Sequence, residues 1–158
     1  MEMPRVTEHH RKLERLVGHW TGEETMHPSN WDPKGFTATG TTSSRLALSG
    51  FAIIGDYRQE RDGQTTFEGH AVYTYDQTAA EVVLYWFDCL GTPPNLFRGN
   101  FEGDVLTLIS DESSERGPHL SRITNEFAAD GALISRMEAS QNGAEWTSLM
   151  DGRYSRSE

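Results

Sequence analysis

Cysteine is almost missing from this chain. Cys89 stands alone among 158 residues, so no internal disulfide can form and the fold must stand on burial. Cys89 also lacks the local signature of an activated thiol and reads as a small half-buried residue at a strand end. No stretch approaches the roughly 18–20 apolar residues that a membrane-spanning helix needs. The N-terminus, Met1-Glu2-Met3-Pro4-Arg5, turns highly charged at once and has no apolar centre of the signal-peptide kind. Positive charge is scarce as well. The net charge of -10 disfavours nucleic acid and anionic membrane surfaces, which both select clustered Lys and Arg. The expectation is a cytoplasmic protein without nucleic-acid or membrane partners; a homo-oligomer stays open.

Motifs that carry chemistry are equally scarce. There is no Gly-x-Ser-x-Gly elbow, phosphate-binding loop or dinucleotide fingerprint, which leaves nucleophilic hydrolysis and nucleotide binding without support. His9, His10, His19, His27, His70 and His119 show no His-x-x-x-His spacing. His19 and His27 would lie about 25 Å apart in an extended strand, too far for one metal. No metal is expected.

What the chain does have is a rhythm of turns. Pro33-Lys34-Gly35, Ser49-Gly50, Asp62-Gly63, Asp76–Ala80, Gly91–Pro94, Gly103-Asp104, Ser113–Pro118, Asp130-Gly131 and Asn142-Gly143 punctuate short β-type segments. That spacing implies about ten antiparallel strands, whose edges are removed most simply by closure into a barrel. The expected architecture is all-β: one domain over 1–158, a helix over about 5–17 and a barrel over about 18–156. The helix rests on Val6, His10, Leu13, Leu16 and Val17 at helical spacing, with Thr7 at its start.

The turns also predict registers. A three-residue loop at Asp62-Gly63 pairs Glu60 with Gln64 and stacks Tyr57 on Phe67, Gly55 on Gly69, Ile53 on Ala71 and Phe51 on Tyr73. A two-residue loop there would mix the faces of the sheet. Gly103-Asp104 pairs Phe101 with Leu106 and Gly99 with Leu108. Asn142-Gly143 pairs Ala139 with Trp146, Met137 with Ser148 and Ser135 with Met150.

The motif Gly18-x-Trp20-x-Gly22, placed between a short helix and the first strand, resembles the entry of calycin barrels: lipocalins, fatty-acid-binding proteins and nitrobindins. The resemblance implies that Gly18, Trp20 and Gly22 are structural and that Arg153 or Arg156 from the last strand covers the Trp20 ring. The stretches Asp56-Tyr57-Arg58-Gln59-Glu60, Phe67-Glu68-Gly69-His70, Tyr75-Asp76, Trp86-Phe87-Asp88, Glu102-Gly103-Asp104 and Met150-Asp151-Gly152-Arg153-Tyr154 resemble a bacterial family known only as domain of unknown function 1579. That likeness implies a lipocalin-like barrel and transfers no activity. Nitrobindins bind haem through a histidine near the C-terminus. Here His119 is the last histidine, so haem is disfavoured and no cofactor is expected.

The expected ligand-binding residues are Tyr57, Arg58, Phe67, His70, Tyr73, Tyr85, Trp86, Phe97 and Trp146. Phe87 and Phe101 complete the set of aromatics available to line a cavity or fill a core. The leading functional expectation is non-catalytic binding of a small hydrophobic or amphipathic molecule inside the barrel. A second reading is an isomerase or cyclase with His70 as acid–base beside Glu68 or Asp88, with Asp56 and Arg58 nearby; it requires His70 to point inward. A third is a haem or metal protein using His70 or His119.

Overall fold

The computed structural model describes residues 1–157. A one-and-a-half-turn helix, α1 (Glu8–Leu13), is followed by a 3-10 turn at Glu14–Leu16. The His10 ring opens the helix: its Nδ1 accepts the Thr7 N–H at 3.0 Å and lies 2.9 Å from Thr7 Oγ1. The helical segment is shorter than the expected 5–17, because Val17 is already extended where Gly18 begins to pair with Ser44.

Ten strands follow: β1 (Gly18–Met26), β2 (Phe36–Ala47), β3 (Ala52–Arg61), β4 (Gln64–Asp76), β5 (Glu81–Asp88), β6 (Asn95–Glu102), β7 (Val105–Asp111), β8 (Leu120–Phe127), β9 (Leu133–Ser140) and β10 (Thr147–Ser157). Each pairs antiparallel with its successor, and β10 returns to β1. The result is the closed barrel that the turn rhythm implies, with every edge consumed by a neighbour. Among the described residues, no helix is long and apolar enough to cross a membrane.

The registers depart from expectation in two hairpins. At Asp62-Gly63 both residues have positive φ, 53° and 77°, which is the two-residue primed turn; it pairs Arg61 with Gln64 and Glu60 with Thr65. The faces are not mixed, because a bulge at Thr66 absorbs one residue before Gln59 meets Phe67. Tyr57 therefore lies opposite Gly69, Gly55 opposite Ala71 and Ile53 opposite Tyr73. Phe51 precedes β3 and packs edge-on against His10. At Asn142-Gly143 the Asn142 carboxamide oxygen accepts the N–H groups of Ala144 and Glu145, both at 2.9 Å, which widens the loop. Ala139 consequently pairs with Thr147, Met137 with Met150 and Ser135 with Gly152, past a bulge at Leu149. The Gly103-Asp104 hairpin has the register predicted for it.

Alternation along the strands divides the barrel into two halves. At the end crossed by α1 the interior is filled: Leu13, Ile53, Leu84, Leu106 and Leu108 are at most 1% exposed. The helix is fastened on both sides. Trp20 Nε1 donates to the Leu16 carbonyl at 3.0 Å on one side, and the His9 ring stacks on Tyr75 at 4.6 Å on the other. Arg156, rather than Arg153, covers Trp20, its guanidinium carbon 4.4 Å from the ring centroid. Gly18 (φ +133°) leaves that arginine its path, since a Cβ there would sit 3.1 Å from Arg156 Nε. A Cβ at Gly22 would collide with the Arg153 carbonyl.

Trp20 joins helix, first strand and last strand, so truncation removes contacts from all three. Trp20→Ala is expected to cost about 3–5 kcal/mol, read as a large fall in the urea midpoint. An unchanged midpoint would show that the ring does not hold this end closed.

Candidate functional site

Spacing by two on β1 sends Trp20, Gly22, Glu24 and Met26 to the same inward face. Glu24 thereby carries a carboxylate into the barrel wall, where it is 0% exposed. Three neutral donors hold it. Tyr57 Oη donates to both carboxylate oxygens, at 2.6 and 2.8 Å; Gln59 Nε2 donates at 3.1 Å; and Tyr154 Oη donates to Oε2. Gln59 is anchored in turn by the bulged Thr66, whose hydroxyl donates to Gln59 Oε1 at 3.1 Å. Glycines make the seat: a Cβ at Gly40 would strike the Glu24 carboxylate, and one at Gly152 the Tyr154 phenol. Burial first, and then the Glu24 charge, push the Tyr57 and Tyr154 phenols far above the usual tyrosine range. Both stay hydrogen-bond donors at any physiological pH. Deeper in the barrel, burial raises the Tyr73 phenol to about 12.

Beyond Glu24, toward the end away from α1, the inward side chains are only half-buried. Tyr57, Phe67 and Trp86 form a cluster there, with ring centroids 6.0–6.5 Å apart. Gly69 clears room for the Trp86 indole, which a Cβ would strike, and Trp86 Nε1 donates to Asp88 Oδ2 at 2.9 Å. Met26, Ile123, Met137 and Met150 continue the half-buried inner surface. At the rim, the Glu112 carboxylate accepts from Asn95 Nδ2 and from Ser121 Oγ at 3.0 Å, with His119 Nε2 3.4 Å away. The open half thus presents an aromatic and thioether wall that ends in the carboxylates of Asp88 and Glu112 and, over the Phe36 ring, in Arg61, which pairs with Asp32 at 3.6 Å.

The expected site residues divide. Tyr57, Phe67, Tyr73, Trp86 and Phe97 share the inward face, with Tyr73 and Phe97 belonging to the filled core. Arg58, His70 and Tyr85 lie on the outside of the sheet. Arg58 pairs with Glu60 at 3.1 Å, His70 Nδ1 sits 2.6 Å from Asp56 and beside Phe87, and Tyr85 is exposed. Trp146 precedes β10 in a loop, under the Arg122 guanidinium at 4.0 Å. The acid–base set does not assemble: Glu68 is outward, and Asp88 faces inward opposite Gly69, while Phe87 is the residue opposite His70. His70 cannot serve a group held in the barrel, and His119 turns toward Glu112 at the rim. The one buried histidine, His10, is held by Thr7 in the filled half. No group of three or more potential metal ligands occurs among the described residues.

Sequence reasoning missed Glu24, Gln59 and Tyr154. Half of the signal was available, since Glu24 shares parity with Trp20 and Gly22 and so had to face inward. Its partners come from β3 and β10, which are brought to Glu24 by pairing around the sheet, through β2 on one side and directly across the closing seam on the other.

The buried phenols give the fold an alkaline limit. Tyrosines ionise near 10 in an unfolded chain, whereas folding raises Tyr57, Tyr73 and Tyr154. Their stabilising contribution is complete below pH 10 and is lost as pH climbs beyond 10 toward the folded values, at about 1.4 kcal/mol per pH unit for each phenol. Tyr154→Phe is expected to flatten that slope by one phenol. Because it also deprives buried Glu24 of a donor, it should cost about 1–3 kcal/mol at neutral pH. Urea midpoints collected from neutral pH to above pH 10 measure both effects; an unaltered slope together with unaltered neutral stability would refute the arrangement.

Compared with known proteins, the chain matches a family model described as "Protein of unknown function (DUF1579)" over residues 5–156. None of the curated proteins matches it. Among solved structures, the crystal structure of Rv2717c from M. tuberculosis superposes with a TM-score of 0.68 at 12% sequence identity, covering 98% of this chain and 100% of the other. At that identity the likeness is one of fold. With the family match spanning all but the terminal residues and the barrel closed as described, the chain belongs to the DUF1579 family of proteins of unknown function.

Proposed function

We propose that this protein binds a small amphipathic molecule in the open half of the barrel, with its apolar part against Tyr57, Phe67 and Trp86. The half-exposed inward aromatic cluster is the observation that carries this reading. Side chains packed merely to fill a core lose their exposure, as Leu84 and Phe97 do further down the same sheet. The polar atoms available near the cluster favour one kind of ligand. Asp88 and Glu112 are acceptors, and Arg61, which shares the inward parity of Tyr57 and Gln59, lies at the rim over the Phe36 ring with its charge paired to Asp32 at 3.6 Å. A ligand whose polar end is a hydrogen-bond donor or a cation fits this wall, and the aromatic faces add attraction for a cation. The single, exposed thiol of Cys89 suits a reducing compartment such as the cytoplasm.

The test compares an alkylamine with a carboxylate of the same chain length, titrated into the protein while tryptophan fluorescence is followed. The amine is expected to bind tighter by about tenfold or more, a difference of roughly 1.4 kcal/mol. Trp86→Ala should weaken it by a similar factor. If neither probe binds and native mass spectrometry finds no co-purifying molecule, the barrel is not a binding vessel; tighter carboxylate binding would overturn the ligand's charge.

A further inference from the structure

A second concavity lies on the outside of the barrel, at the end closed by α1. The helix, the 128–132 loop and the last residues of β10 enclose a groove of about 930 Å³ lined by Arg11, Arg15, Arg153 and Arg156, with Glu14 and Asp130 as its acidic members. Four guanidiniums facing two carboxylates is an inversion of charge in a chain whose net charge is -10. Two of the four are engaged by carboxylates: Arg153 by Asp130, and Arg15 by Asp104 at 3.0 Å. Arg11 and Arg156 have no carboxylate partner among the described residues. Arg11 reaches only the Val6 carbonyl, at 3.5 Å.

The groove is also pre-organised. Arg156 lies flat on Trp20 and donates one N–H to the Arg15 carbonyl at 2.7 Å; Arg15 lies flat on Phe127, 4.4 Å from its centroid. Two long side chains that would otherwise move freely are held on aromatic platforms, so little ordering entropy opposes a bound anion. A role confined to covering Trp20 accounts for Arg156. It does not account for Arg11, for Arg153 or for a concavity left open between three elements.

We propose that this groove binds a small molecule through a phosphate monoester group, recognised by the forked N–H donors of Arg11, Arg156 and their neighbours. The site is independent of the barrel interior, which lies beyond the filled core. A phosphate monoester suits it because two of its guanidiniums, Arg11 and Arg156, have no carboxylate partner among the described residues.

Phenyl phosphate is the probe, followed by calorimetry and by the shift in melting temperature that a native-state ligand produces. Saturable binding weakened by added salt is expected. Arg11→Gln, on an exposed helix face, should lower affinity roughly three- to tenfold without lowering the melting point of the unliganded protein. Arg153→Gln should lower it further by releasing Asp130 into the groove, whereas Arg58→Gln, on the far side of the barrel, should change nothing. The proposal falls if phenyl phosphate does not bind at millimolar concentration. It falls equally if Arg11→Gln and Arg153→Gln bind as the parent does; the arginines would then be a latch on the helix and nothing more.

Discussion

One carboxylate ties the barrel together. Glu24 stands at the closing seam, on the first strand, and takes hydrogen bonds from the third strand through Tyr57 and Gln59 and from the last through Tyr154. A carboxyl group taken out of water is tolerated only where hydrogen-bond partners replace its hydration, and three oriented donors do so here. The same requirement explains the sequence around it. Gly40 and Gly152 must lack side chains because the carboxylate and a phenol occupy the space. Gln59 needs Thr66, and Thr66 reaches it because of the bulge. An apolar residue in place of Glu24 would leave two phenols and an amide unsatisfied, so the cluster selects one register at the seam where the barrel closes.

The cluster also marks the boundary between the two halves of the interior. On the α1 side, buried aliphatic side chains meet across the barrel, and Trp20 closes that end beneath Arg156 and the helix. On the other side, Tyr57 is pinned by its hydroxyl while its ring belongs to the half-open aromatic group with Phe67 and Trp86. A side chain whose polar end is fixed in the wall and whose ring borders an accessible space is rigid and apolar at once. That combination suits a binding surface that need not reorganise.

Much of this was legible in the turns. Positive-φ glycines at 35, 63, 103, 131 and 143 fall where the strand breaks were read, and alternation placed Tyr57, Phe67 and Tyr73 on one face. Registers were legible only where the hairpin is regular. Gly103-Asp104 needs no bulge, so counting outward from the turn suffices. At Asp62-Gly63 and Asn142-Gly143 an added residue or an Asn-built loop shifts the pairing, and no local pattern announces it. Glu68 and His70 share the outer face, but the pleat turns Asp88 inward, opposite Gly69, so the three do not meet.

The sequence by itself determined the all-β architecture, the strand count, the short helix and the inward parity of Trp20 and Glu24. Each of these follows from local rules: backbone preference at turns and the two-residue period of a strand. Only the tertiary structure decided which strands Glu24 would meet, that Arg156 rather than Arg153 would cover Trp20, and which half of the barrel would stay open. Those outcomes depend on the depth at which residues more than a hundred positions apart arrive around a closed sheet, and closure is a property of all ten pairings together.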